Sequence, residues 1–170
     1  LLQAGANGQD AQDLINTIHE ASARMQTLLD DLGHHTQAAN SAGVGTCRLS
    51  AVAQGITADV ALDVVQDGDI PLLAADLTTI LAQLARNAAE NGAQHMTLKA
   101  TDTSLHIADD GPGISAGNRD RIFVPFFTTR RESGGTGMGL SIVRSLVQAR
   151  GGRILLLPEG PGAQFLISFD

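Results

Sequence analysis

The residues best suited to chemistry begin with Gly134-Gly135-Thr136-Gly137-Met138-Gly139-Leu140, which runs straight into Leu140, Ile142, Val143, Leu146 and Val147 at helical spacing. Glycines at a helix start let the backbone approach an anion closely, and the first N–H groups of the helix point toward it. The stretch is not a phosphate loop ending in Gly-Lys-Ser/Thr, nor a Gly-x-Gly-x-x-Gly following a strand, so the rest of the chain must give it meaning. Gln83, Asn87 and Asn91 stand at i, i+4 and i+8, a polar row with Glu90 beside it. The neutral carbonyl of an amide such as Asn87 suits Mg²⁺ that is bound mostly by phosphates and water, and the same spacing also describes an ordinary solvated helix flank. Asp109-Asp110-Gly111-Pro112-Gly113-Ile114 offers a carboxylate that can accept from an exocyclic amine such as adenine's, next to glycines against which a flat ring can lie. A Pro-Gly turn with an incidental acidic pair fits those letters equally well. Phe123-Val124-Pro125-Phe126-Phe127-Thr128-Thr129-Arg130-Arg131 places three of five phenylalanines in a loop, where they need cover from the core or a partner, and its arginines can reach phosphate oxygens.

The chain that must position these groups has 170 residues, enough for one or two domains with a hydrophobic core. Hydrophobic residues are 43% and charged residues 17%, a globular composition. A net charge of −7 argues against broad electrostatic binding to nucleic acid, so a polyanionic ligand would have to be held locally. Cys47 is the sole cysteine, which excludes an internal disulfide and a structural zinc cluster and fits a reducing compartment. No apolar run reaches the roughly 18 residues of a membrane span, and a cytoplasmic location is expected, with a membrane-bound sensor region elsewhere left open.

Residues 1–9 read as a frayed lead-in, and residues 10–32 carry one helical stripe from Leu14 to Leu32 that Gly33 ends. A small, polar segment from His34 to Gly45 marks a boundary, dividing the chain into residues 1–45 and 46–170. Beyond it the patterns predict a short strand at 46–49, a helix at 50–58, and a hairpin of residues 60–66 and 70–73 around Asp67-Gly68. Asp76 is expected to cap a helix reaching Asn91, with Leu77, Ile80, Leu81, Leu84 and Ala88 on one face and Gly92 closing it. Strands at 95–100 and 104–108 follow, then a long irregular segment to Gly135, a helix over 137–150 and a closing hairpin of 153–157 with 164–169. The expected fold is α+β: a two-layer α/β sandwich with a mixed, mostly antiparallel sheet, three helices on one face, and a single N-terminal helix ahead of it.

The ordered set of an Asn helix, Asp-x-Gly-x-Gly, a Pro-Phe-Phe loop and Gly-Thr-Gly-Met-Gly-Leu resembles the catalytic and ATP-binding domain of bacterial sensor histidine kinases, in the GHKL ATPase superfamily shared with DNA gyrase, heat-shock chaperones and mismatch-repair proteins. The resemblance covers residues 46–170, and Pro125-Phe126-Phe127-Thr128-Thr129-Arg130 looks most similar to the nitrogen-regulation and oxygen-sensing kinases. It implies that Asn87 is the Mg²⁺-binding asparagine and Asp109 the adenine-reading aspartate, with Gly111, Gly113 and Ile114 shaping the base pocket. It also implies nucleotide contacts from Asn91, Thr128, Thr129, Arg130, Gly135, Thr136, Gly137, Met138, Gly139 and Leu140, with Phe123, Phe126 and Phe127 as the phenylalanine box of a lid over Ser115–Ser133. Asn87 and Arg130 are the residues implied in catalysis. The sequence departs from the family pattern at Gln83, where Glu, His or Asn is frequent, and at Glu90 and Asn91, which replace a frequent Lys and aromatic.

Residues 10–32 are similar to the second helix of the family's dimerisation and phosphoacceptor hairpin. His19-Glu20 imitates the start of an acceptor motif, but Arg24 stands at the proline-like position, so the acceptor histidine is expected outside the chain. The resemblance therefore implies Mg·ATP as ligand, a phosphoacceptor hairpin of the same protein or its dimer mate as partner, a response-regulator receiver domain downstream, a homodimer, and no nucleic acid. Two other readings stay open: a catalytically degenerate ATP-binding or interaction module, and a GHKL-type ATPase, against which Gln83 counts because those enzymes place a catalytic glutamate there.

Overall fold

The computed structural model describes Ile15 and residues 45–131, 134–158 and 160–169. Ile15 is helical; the rest of the helix expected over 10–32, its His19-Glu20 pair and the boundary segment before Gly45 lie outside the described residues. The order of elements is β1 (Cys47–Arg48), α1 (Leu49–Ala53), β2 (Ala61–Gln66), β3 (Asp69–Ile70), α2 (Ala74–Glu90), β4 (His95–Ala100) and β5 (Ser104–Asp109). A 3-10 turn at Ala116–Asn118, α3 (Gly139–Ala149), β6 (Gly152–Leu156) and β7 (Gln164–Phe169) complete it. Five strands form a sheet in the order β2-β4-β5-β7-β6, antiparallel except for the parallel β2–β4 pair.

Alternation along the strands divides the sheet into two faces. Met96, Leu98, Leu105, Ile107, Phe165 and Ile167 are buried, while Lys99 and Leu155 on the other face are exposed. The buried face meets Leu77, Ile80, Leu81 and Leu84 of α2 and Ile142, Val143, Leu146 and Val147 of α3 in one core. Each fully buried Leu or Ile contributes about 1.5–3 kcal/mol by leaving water, which makes this layer contact the main stabilising term. The expected two-layer, mostly antiparallel α+β sandwich is observed.

Three expectations from the sequence are corrected. Residues 60–66 and 70–73 do not pair as a hairpin: β2 runs parallel to β4, and β3 pairs antiparallel with β1. The Asp67-Gly68 turn is used otherwise, since Asp67 Oδ1 accepts the Ser50 N–H at 2.9 Å and the Gly68 carbonyl accepts the Leu49 N–H at 3.0 Å. The turn thereby satisfies the exposed amides at the start of α1, a tertiary role that local letters do not announce. Asp76 is not the cap of α2, whose N-cap is Leu73; it lies in the first turn, and its Oδ2 sits 2.7 Å from Arg150 Nη2. Asp76 near the start of α2 and Arg150 just past the end of α3 each match the helix dipole beside them, and their buried ion pair ties the two helices together. Helix α1 is also shorter than the 50–58 expected.

Candidate functional site

A cavity of about 570 Å³ opens between α2, the β5 end, the 112–131 segment and the glycine stretch before α3. That size and its single, convergent polar lining are those of a small-molecule site. At one end, β5 delivers Asp109 to the wall. Its Oδ1 accepts the Gly111 N–H and the Ala163 N–H, both at 3.0 Å, while its own N–H donates to the Ala163 carbonyl at 3.1 Å. Among the described residues Oδ2 takes no hydrogen bond from the protein, so a fixed carboxylate keeps one oxygen for a ligand donor. Gly162, at φ +74°, makes this possible: a Cβ there would overlap the Asp109 carbonyl oxygen.

Asp110, its neighbour, does different work. Its Oδ1 accepts the His95 N–H at 3.0 Å and the Gln94 N–H at 2.8 Å, and those bonds hold its pKa below the ordinary carboxylate value. The acidic pair thus divides into a ligand-facing carboxylate and one that fastens the α2–β4 connection.

At the other end, one flank of α2 presents Arg86, Asn87, Glu90 and Asn91. Asn91 Nδ2 donates to the Asn87 carbonyl at 2.7 Å, and among the described residues the Asn87 amide has no side-chain hydrogen bond. Opposite lie Thr128, Thr129 and Arg130, with Gly134, Gly135, Thr136, Gly137, Gly139 and Leu140. Arg130 Nη1 reaches Glu90 Oε2 at 3.1 Å, an ion pair joining the two sides. Gly137 has φ +71°, and a Cβ on it would stand 2.6 Å from the Phe126 carbonyl carbon. That glycine is needed because the phenylalanine loop lies directly against it, a reason independent of any anion.

Asn87, Asn91, Asp109, Gly113 and Ile114 therefore meet in one cavity with Thr128, Thr129, Arg130 and the glycine stretch, as expected from their motifs. Gly111 and Met138 do not line it: Gly111 closes the Asp109 turn, and Met138 is buried, its carbonyl accepting the Ser141 hydroxyl at 2.8 Å. Of the three loop phenylalanines, only Phe127 lines the cavity, beneath the Arg121 guanidinium at 4.4 Å. Phe123 packs edge-on against Phe165, with ring centroids 6.4 Å apart, and Phe126 is 56% exposed at φ +64°. A non-glycine residue held in the left-handed region costs about 1–3 kcal/mol and collects at functional sites. The sequence reading missed Arg86, Ala163 and Phe165 as cavity residues, and Gly162 as the residue packed behind Asp109. Arg86 precedes Asn87 and carried an available signal, whereas Gly162 and Ala163 meet Asp109 only through a contact 54 residues long.

Residues 73–170 match the family model of histidine kinase-, DNA gyrase B- and HSP90-like ATPases. The chain belongs to that family. It is 36% identical over 108 residues to the sensor histidine kinase ZraS of Escherichia coli K12, covering 58% of this chain and 23% of that protein. It is 27% identical over 175 residues to the alginate biosynthesis sensor protein KinB of Pseudomonas aeruginosa, covering 90% of this chain and 29% of KinB. The chain thus spans about a quarter of the length of these relatives. Among solved structures, full-length ShkA in complex with AMPPNP superposes with a TM-score of 0.64 at 25% identity, over 92% of this chain and 38% of that one. Among the described residues no helix is long and apolar enough to cross a membrane.

Proposed function

We propose that residues 46–170 are the ATP-binding catalytic domain of a sensor histidine kinase that passes the γ-phosphoryl group of Mg·ATP to a histidine on a phosphoacceptor hairpin. The observation that carries this is one cavity with the Asp109 carboxylate fixed at one end and the α3 N-terminus, Asn87 and two arginines at the other. Asp109 Oδ2 accepts the adenine amine, and Gly113 and Ile114 give the ring a flat floor. The glycine-rich start of α3 receives the triphosphate, where its N–H groups and dipole favour negative charge. An imidazole nitrogen of the acceptor attacks the γ-phosphorus, the bond to the β–γ bridging oxygen breaks, and ADP leaves with that oxygen. Positioning and charge stabilisation are the main demands of such a transfer.

The donors here fit a magnesium ion that keeps its phosphate and water ligands. Asn87 brings to the cavity an amide that has no side-chain hydrogen bond among the described residues, and no group of three His, Cys, Asp or Glu side chains among those residues would compete for the metal. When bound, the ion would neutralise charge on the phosphates. The exposed Phe126 ring and Val124, 49% exposed, in the same loop as the cavity-lining Phe127, offer a docking surface for the hairpin of the same protein or its dimer mate. We place the domain on the cytoplasmic side, in a homodimeric kinase of the nitrogen-regulation or oxygen-sensing type that serves a response-regulator receiver domain, with no nucleic-acid partner.

Asp109→Asn tests the reading by calorimetry. The amide turns a donor toward the adenine amine, and ATP affinity is expected to fall at least about tenfold, the worth of a buried hydrogen bond left unmade. Undiminished affinity sinks the assignment. Incubation with the acceptor hairpin and labelled ATP should give acid-labile, base-stable phosphoprotein; phosphate release without phosphoprotein would move the reading to an ATPase.

A further inference from the structure

We propose that Arg86 is the arginine that binds the terminal phosphate in this site, and that Gln83 is the residue that positions it. The proposal rests on the ATP-binding reading above and adds two residues to it. Gln83 and Arg86 lie one turn apart on α2, and Arg86 Nη2 donates to Gln83 Oε1 at 2.5 Å. Gln83 is buried, with 6% of its surface exposed, so its amide is a fixed post and not a wandering surface group. Arg86 is half-buried and lines the cavity.

The guanidinium is aimed at the place where α3 begins. A Cβ added to Gly139, the first residue of α3, would stand 2.9 Å from Gln83 Oε1, 3.6 Å from Asn87 Nδ2 and 3.7 Å from Arg86 Nη2. Three polar heads of α2 therefore converge on a helix N-terminus of eleven residues, where peptide dipoles already favour an anion. Glycine at 139 is what lets them come so close.

The residue type at position 83 matters for charge. A neutral amide oxygen orients a guanidinium without cancelling its charge, whereas a carboxylate in the same place would form an ion pair with it. Arg130, the arginine expected from sequence, also reaches across the cavity, where its Nη1 bonds the Glu90 carboxylate.

The test is calorimetry of ATP, ADP and adenosine with Mg²⁺ on the 170-residue chain. The wild type should prefer ATP over ADP. Arg86→Ala should reduce that preference by about tenfold or more, while adenosine affinity stays as in the wild type. Arg86→Lys should restore part of the loss, because a point charge remains without the forked geometry. Gln83→Glu, nearly isosteric, should also lose preference although Arg86 is intact. A wild-type ATP-to-ADP ratio in Arg86→Ala overturns the proposal. If Arg86→Ala no longer binds adenosine and so has lost its fold, Gln83→Glu decides in the same way: a wild-type ratio overturns it and a reduced ratio supports it. Failure of the ATP-binding reading itself looks different, because the wild type would then bind neither adenosine nor ATP.

Discussion

The Asp109 end of the cavity is held by backbone and sheet, whereas the Asn87 end is assembled from side chains and a loop. At the first, β5 and the residues leading into β7 exchange hydrogen bonds through Asp109 and Ala163, and Gly162 is pressed against the Asp109 carbonyl. At the second, α2 supplies Arg86, Asn87, Glu90 and Asn91, and the facing loop is linked to it by the Arg130–Glu90 ion pair, whose side chains are 34% and 41% exposed. Exposed pairs of this kind are worth about 0–1 kcal/mol, so that link can open at little cost. Recognition of a flat ring requires donors and acceptors that do not move. A site that must admit and release a triphosphate gains from a wall that can rearrange.

The largest effect that can break this comparison is expected from Gly162→Ala. The added methyl cannot coexist with the Asp109 carbonyl oxygen, and φ +74° is strained for alanine. Such a clash belongs with the overpacking substitutions that cost about 1–3 kcal/mol or more. Thermal unfolding should shift down by roughly 5–10 °C, and nucleotide binding should disappear with the displaced carboxylate. A variant that keeps both its melting temperature and its ATP affinity would show that the Asp109 end is as adaptable as the other.

A loss of stability at least as large is expected from Asp76→Ala, but without a loss of binding. Removing one partner from the buried Asp76–Arg150 pair leaves a buried charge uncompensated, at a cost of about 3–5 kcal/mol. The pair joins the start of α2 to the end of α3, away from the cavity, so ATP affinity measured well below the melting transition should hold. Loss of affinity in proportion to stability would mean that helix packing, and not the local side chains, sets the Asn87 end.

How far each end was legible in the sequence follows the same division. Asn87, Asp109 and the glycine stretch are short motifs that are ambiguous singly and informative as an ordered set, and helices α2 and α3 declare themselves through apolar stripes closed by Gly92 and Gly151, both at positive φ. Strand partners are another matter. Period-two alternation predicts β2 correctly as a strand but does not say that it lies parallel to β4, and Asp67-Gly68 has the letters of a hairpin turn while serving α1. Gly162 against Asp109, and Gln83 with Arg86 against Gly139, are contacts between distant segments. They become visible only when the sheet and the helix layer bring those segments together.

The segment from Ser115 to Ser133, expected from the sequence to be a mobile lid, sharpens the comparison further. Its first part is anchored: Ile122 is buried, Arg119 Nη2 donates to the Leu157 carbonyl, Phe123 packs on Phe165 and Arg121 covers Phe127. Hydrogen exchange should therefore be slow at Arg121–Phe127 without nucleotide. It should be fast at Thr129–Arg131 and Gly134–Gly137, then slow there when ATP is added. Uniform exchange across the whole segment would return the lid to its expected length.

The smallest effect concerns acid. Asp67 accepts the Ser50 hydroxyl at 2.7 Å, the Ser50 N–H at 2.9 Å and Arg48 Nε at 2.8 Å, and its pKa falls from 3.8 to about 2. A carboxylate depressed on folding contributes stability that is complete above its unfolded value and is lost as pH falls toward its folded one. The window is therefore about pH 4 to 2. Asp110 is shifted in the same direction by the His95 and Gln94 N–H groups, so it adds to the loss in that range. The two lie in different places, since Asp67 serves α1 and Asp110 stands beside the Asp109 end. Denaturant midpoints recorded from pH 5 to pH 2 should fall less steeply in Asp67→Asn and in Asp110→Asn than in the wild type. Asp110→Ala, which unlike Asn leaves no side-chain oxygen for the Gln94 and His95 N–H groups, should also weaken ATP binding at neutral pH, because the strand end that carries Asp109 then loses its side-chain fastening to the α2–β4 connection. Wild-type ATP affinity in Asp110→Ala would show that the Asp109 end is rigid without that side chain, held by its backbone bonds to β4 and to Ala163.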